Sequence, residues 1–216
     1  MIKSLKKTVW KILNKLRIGA PIQLMLTGGL LDDGWFNSFN TKQAIDKDKK
    51  PIPWCSYPFI KFIEPRLKKD FSVFEFGSGN STLWYAERVG KILSVENDKG
   101  WFDLVSKKVP ENAKIIFQML EYNGEYCKKA LAANNKFDVI IIDGRDRVNC
   151  IKHSIGALKE QGVLIFDNSN LPQYSDGISY LISNGFRKLD FIGLSPVTPH
   201  NNCTSIFYRP NNCLGI

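Results

Sequence analysis

Residues 71–82, FSVFEFGSGNST, run from a short apolar stretch through an acid, Glu75, into the glycine pair of Gly77-Ser78-Gly79. An apolar run of this length suits one strand. The two glycines let its end turn sharply and approach a ligand with no Cβ in the way. Asn80 or Ser81 is placed to cap a helix through residues 83–86, whose first N–H groups would face the turn. A strand-to-helix turn with no ligand has the same signature, so the neighbouring segments must decide.

A second apolar run, 91–96, ends in Glu96, 19 residues beyond Gly77. That is close to the ~20-residue offset at which a carboxylate meets ribose hydroxyls. The plain alternative is a solvated acid at a strand end. The third glycine of the dinucleotide fingerprint is replaced by Thr82, which counts against a nicotinamide or flavin cofactor. With Glu75 just ahead of the glycines, the chain resembles the class I S-adenosylmethionine-dependent methyltransferases over roughly residues 51–210. The resemblance implies an α/β fold: a Rossmann-like seven-stranded sheet, mostly parallel with an antiparallel last strand, and helices on both faces. It also implies a donor site built from Glu75, Gly77, Gly79, Ser81, Glu96 and Asp143.

The rest of the chain keeps the alternation such a fold needs. Strands are expected at 113–118, 137–143, 162–167, 186–193 and 203–208, and helices at 121–133, 147–160 and 173–184, the last closed by Gly185. The unbroken apolar run FDVIIID at 137–143 suits a strand covered on both faces. One domain of this size buries well over half of its unfolded surface. Five scattered cysteines without C-x-x-C spacing read as reduced, cytoplasmic thiols. No stretch has the length of a membrane span or the layout of a signal peptide.

The net charge of +9 is uneven. Six basic residues and no acid precede residue 18, leaving 24 basic against 21 acidic residues in the remainder. A nucleic-acid partner is therefore not expected of the catalytic domain. Over residues 1–20 the pattern is a basic amphipathic helix, with Ile2, Leu5, Val9, Ile12, Leu13 and Leu16 on one arc. Two readings stand: it lies on an anionic membrane surface, or its stripe packs on the domain and the lysines keep it wet. Residues 21–50 read as a connecting or lid segment, in which Trp35, Phe36 and Phe39 either cover a substrate or anchor the packing. The methyltransferase domain is expected over 51–216.

Asp143 ends the expected fourth strand and Asp167-Asn168 the fifth. If the strands are neighbours, three oxygen ligands converge at the sheet edge, a donor set that suits Mg²⁺ or Mn²⁺. The arrangement resembles that of the catechol O-methyltransferase branch, which implies Asp143, Asp167 and Asn168 as metal ligands. Acids in these positions also serve without metal, as ligands of the methionine amino group or as loop caps. The following loop, Gly144-Arg145-Asp146-Arg147, departs from that branch because it lacks the lysine base, and arginine cannot accept a proton near neutral pH. Arg145 or Arg147 is left to fork onto an anionic group of the substrate or to pair with Asp146 and Glu96. His200 is the candidate base, with plain solvent exposure as the alternative; His153 falls in a helix and reads as structural.

The segments around Trp54 and Tyr57, Asp143 to Arg147, and Cys203 to Arg209 resemble a compact bacterial group of methyltransferases that occurs in polysaccharide-assembly gene clusters. That resemblance implies a glycan or glycolipid acceptor at the cytoplasmic face of a membrane, and it adds Tyr57 to the donor site. The competing functions are a small-molecule or RNA methyltransferase, a nicotinamide-dependent oxidoreductase, and a membrane-associated scaffold with an inactive methyltransferase fold.

Overall fold

The computed structural model describes residues 2–216, with side chains from residue 5 onward. Seven strands form one sheet: β1 Ser72–Phe76, β2 Lys91–Glu96, β3 Ala113–Phe117, β4 Phe137–Ile142, β5 Leu158–Asp167, β6 Arg187–Leu194 and β7 Asn201–Tyr208. Their order is β3-β2-β1-β4-β5-β7-β6. The first five pair in parallel, and β7 runs antiparallel between β5 and β6. This is the fold class the sequence led us to expect.

Every residue of β1 and β4 is buried, as a strand with helices over both faces must be. Alternate side chains feed two cores. On one face Val73, Val139, Ile141 and Ile165 pack with Phe59, Ile63, Trp84 and Tyr85, which come from α5 (Tyr57–Ile63) and α6 (Asn80–Ala86). On the other, Phe74, Phe76, Ile140 and Phe166 pack with Tyr126, Ile151 and Leu181. Those three belong to α8 (Glu125–Ala132), α9 (Arg147–Ser154) and α10 (Ser175–Ser183). Gly185 closes α10's turn at φ 81°, as expected of a left-handed stop. A further helix, α7 (Lys99–Val105), was not foreseen; Asp98 caps it by accepting from the Trp101 N–H.

One element boundary is corrected. The helix expected over 147–160 stops at Ser154, and after a 3-10 turn the chain enters β5 at Leu158. Leu158 is buried opposite Phe137, with a register irregularity before Val139. The polar Lys159, Glu160 and Gln161 are exposed and look helical in sequence, but Leu158 pins them in the strand.

The N-terminal region consists of α1 (Ile2–Lys15), α2 (Gly19–Leu26), α3 (Gly29–Asp32) and α4 (Trp35–Thr41). Arg17 breaks the first two apart at φ 61°. From Asp33 onward the chain is seated on the domain. Asp33 pairs with Lys61 at 2.6 Å, the Asn80 side chain donates to the Ala44 carbonyl at 2.8 Å, and Ala44, Ile45 and Ile52 are buried. Trp35 packs against the first core, stacks on Phe39 and donates its indole N–H to the Thr198 carbonyl at 2.9 Å. It is a packing anchor.

Candidate active site

The carboxyl ends of β1, β2, β4 and β5 meet the start of β7 at one edge of the sheet, and there a cavity of about 630 Å³ opens. Glu75, Gly77, Ser81, Glu96, Asp143, Arg145, Asp167, Asn168 and His200 all line it. Gly79 and Tyr57 do not: Gly79 precedes α6 with Trp101 against it, and Tyr57 is buried in the first core.

The turn after β1 is held from beneath. Glu75 is almost fully buried and accepts from Ser81 and Thr82, each at 2.5 Å, and from Ser94 at 2.7 Å. The Thr82 hydroxyl in turn accepts from the Gly79 N–H at 3.0 Å. Threonine in place of the third glycine is therefore a working part of this loop. Burial pushes the Glu75 carboxyl up to about 7 despite the pull of the three hydroxyls. Gly77 sits at φ 95° and Gly144 lies against it. A Cβ on Gly144 would fall 2.1 Å from the Tyr126 hydroxyl and 2.9 Å from the Gly77 nitrogen, so the close approach of the β1 and β4 loops requires glycine at 144, while Gly77 is required by its left-handed φ.

Glu96 is fixed at the end of β2. One oxygen accepts from the Asn97 and Asp98 N–H groups at 2.7 and 2.9 Å, and the other accepts from the Ser78 hydroxyl at 2.9 Å. The carboxylate thus stands oriented at the cavity wall beside the glycine turn. Ser78, Ser94 and Trp101 were missed in the sequence. Only Ser78, between the two glycines, had a spacing signal; Trp101 joins this end by donating its indole N–H to the Ser78 carbonyl at 2.8 Å.

The metal expectation is corrected. β4 and β5 are neighbours, and Asp143, Asp167 and Asn168 do come together, but a guanidinium stands among them. Arg147 donates to the Asp143 side chain at 3.0 Å and its carbonyl at 3.1 Å, to the Asn168 side-chain oxygen at 3.0 Å, and to the Gly144 carbonyl at 3.0 Å. A further N–H reaches the Asp167 carbonyl. All five guanidinium donors are used. Asp167 is turned the other way, its Oδ1 accepting from Thr204 at 2.6 Å and Asn202 at 2.8 Å. Asp143 Oδ1, Asp167 Oδ1 and the Asn168 side-chain oxygen are thus committed to protein donors, which leaves one oxygen of each aspartate beside a fixed positive charge that already lies between the strands; this set does not fit Mg²⁺ or Mn²⁺.

Arg147 is consequently neither a substrate fork nor a partner of Asp146 and Glu96. Asp146 accepts from the Asn123 N–H and the Asn149 amide instead. Burial raises the Asp143 carboxyl above the ordinary range and Arg147 opposes it. Asp167 is raised by burial and by the Asp143 charge. Although burial works against the Arg147 charge, Asp143 and Asp167 hold it above its ordinary value. Among the described residues no bond uses Asp143 Oδ2, and the side chain keeps 24% of its surface open. Arg145 is exposed at the rim. His153 lies on α9 with its ring nitrogen 3.2 Å from the Asn123 side chain, outside the cavity wall.

The opposite wall comes from the 195–202 hairpin tip and the β5 loop. Ser195, Thr198, His200, Asn201, Asn202 and Asn170 line it, with Trp54, 46% exposed, at its side.

No family model matches the chain, and no curated protein matches it in sequence. Solved structures do match in shape. A precorrin-6y methyltransferase from Geobacter metallireducens is similar with a TM-score of 0.58 at 14% identity, covering 79% of this chain and 96% of the other. An rRNA methylase from Streptococcus thermophilus gives 0.54 at 15% identity, with 70% and 96% covered. The chain has the Rossmann-like methyltransferase fold. A spermidine synthase bound to a transition-state analogue is also similar, at 0.51 and 19% identity over 70% of this chain and 56% of that one. The fold therefore hosts more than one transfer chemistry, and function has to be argued from the site.

Proposed function

We propose that this chain is an S-adenosylmethionine-dependent O-methyltransferase whose acceptor is a sugar hydroxyl of a glycan or glycolipid. The observation that carries the reading is a single cavity with two chemically distinct ends. The oriented Glu96 carboxylate and the Gly77 turn suit a ribose and a backbone-bound nucleoside, and the open oxygen of Asp143 suits a cationic amino group. The other end presents hydroxyls, side-chain amides and one exposed indole, groups that match the hydroxyls and the flat apolar face of a sugar ring.

When bound, S-adenosylmethionine supplies a sulfonium methyl that an in-line oxygen nucleophile can accept. His200, which lines the same cavity, is the side chain placed to take the acceptor's proton. Arg147 opposes the burial that raises the Asp143 carboxyl beside the donor end, and the Asn170 amide is placed to hold the acceptor in line, while Asn202 braces the wall through Asp167 and Asn168. The nicotinamide reading is disfavoured by the antiparallel β7 inside the sheet and by Thr82. The scaffold reading is disfavoured by a donor end whose carboxylate and glycines are all in place.

Calorimetry with S-adenosylmethionine and with a nicotinamide dinucleotide tests the donor. Glu96→Gln should weaken S-adenosylmethionine binding by about 1.5–3 kcal/mol. Mass spectrometry of glycans, glycolipids and RNA after incubation tests the acceptor, with His200→Ala expected to lose turnover while keeping donor affinity. Methylation of RNA alone, or binding of the nicotinamide cofactor alone, would sink the reading.

A further inference from the structure

We infer that α1 and α2 together form a docking face for an anionic lipid surface. The sequence left two readings of the amphipathic stripe, and the structure separates them. Leu5, Val9, Ile12 and Leu16 are 67%, 45%, 55% and 61% exposed, so the stripe is not spent on packing against the domain. The principal neighbour of α1 is α2, and α2 carries the same surface onward. Its sequence GAPIQLML has one polar side chain, Gln23, and Leu24, Met25 and Leu26 are exposed, as is Ile18 ahead of it. So many exposed large apolar side chains on two touching helices are unusual on a protein that keeps them in water.

The charge around it selects the occupant. Residues 1–31 hold six cations and no acid, and on a helical projection the exposed Lys6 and Lys15 fall at the two borders of the apolar row, where lysine stems can cover apolar surface while the charge stays in water. Apolar row and cationic flanks match acyl chains beneath anionic headgroups. A second copy of this chain would set like charges against each other, and a nucleic acid would leave the apolar row without a counterpart. Among the described residues no helix is long and apolar enough to cross a membrane. At ~1.5 Å per residue α1 is far shorter than the ~30 Å hydrocarbon core, so it lies in the interface plane.

The face is joined to the cavity. The chain passes from α2 through α3 to Asp33, clamped by Lys61, and to Trp35, bonded to the Thr198 carbonyl in the cavity wall. A docked chain is thus held only a few residues from a contact with the cavity wall, which suits a lipid-linked acceptor. The docking itself does not depend on methyl transfer, and the two can fail separately.

The test is co-sedimentation of the full chain with phosphatidylcholine vesicles, with and without one-third phosphatidylglycerol. Binding should require the anionic lipid and weaken as salt is raised. The triple variant Lys6→Ala, Lys11→Ala, Lys15→Ala should weaken it by at least about tenfold, given ~1 kcal/mol per surface cation. The triple variant Leu16→Glu, Leu24→Glu, Met25→Glu should abolish it, both with unchanged thermal unfolding of the domain. Equal binding to neutral and anionic vesicles, or binding that survives both variants, overturns the proposal. So does a dimer in solution that the glutamate variant dissolves, which would assign the face to self-association.

Discussion

Arg147 settles how charge is handled at the strand ends, because it spends every N–H on the β4 and β5 loops. Arg147→Met should destabilise the fold by about 2–3 kcal/mol in urea unfolding. It leaves Asp143 and Asp167 without their counter-charge, and the figure sits below that for a fully buried pair because Asp143 remains partly open. Turnover of the unaltered protein should survive exhaustive chelation; loss of activity that Mg²⁺ restores would return a divalent cation to this site. Glu75 gives a pH signature. Its carboxyl titrates at about 7 in the fold against an ordinary value of 4.5. In that interval the folded state holds a proton that the unfolded chain has released. Its contribution to stability therefore declines as pH rises from 4.5 to 7 and does not recover above. Glu75→Gln should flatten that decline in a series of urea midpoints, and an unchanged slope would show that another group is responsible.

Among the elements, the β1 and β4 loops form one unit through the contact of Gly77 with Gly144. Gly144→Ala forces a methyl into the Tyr126 hydroxyl and the neighbouring backbone. The expected result is a loss of about 3 kcal/mol in stability, with donor binding lost even where the variant folds; normal calorimetric affinity would count against the interlock. Gly77 was legible in sequence because a glycine after an apolar run is a local signal. The need for Gly144 was not, since its partner lies 67 residues away. The same division runs through the site. Glu96, Asp143, Asp167 and Asn168 end strands, and strand ends of a parallel sheet share an edge, so their meeting could be read from the alternation of elements. That Arg147 would reach back among them depends on α9 starting one residue after the left-handed Asp146, a backbone detail no spacing carries. The early end of α9 was missed for a related reason: Lys159, Glu160 and Gln161 suit a helix locally, and only the pairing of Leu158 with Phe137 overrides them.

For the whole molecule, the N-terminal helices and the domain are nearly separate economies of burial. Of the described residues in α1 and α2 only Gly19 is buried. Deleting residues 2–26 should therefore leave the thermal midpoint and the donor affinity unchanged, as scanning calorimetry and titration would report. A fall of several degrees would mean these helices support the core. The position of β7 has a different kind of consequence. Because this strand runs against its neighbours, its first residues, not its last, arrive at the edge where β1, β2, β4 and β5 end. The wall that we propose faces the acceptor is thus the tip of a hairpin, anchored by β6 and β7 and belonging to no crossover. Insertions and exchanges within residues 195–202 can reshape what the cavity admits without disturbing the strands that carry the donor end. Diversification of acceptor range in chains of this architecture should therefore concentrate at that tip, making it the natural place to graft a new specificity.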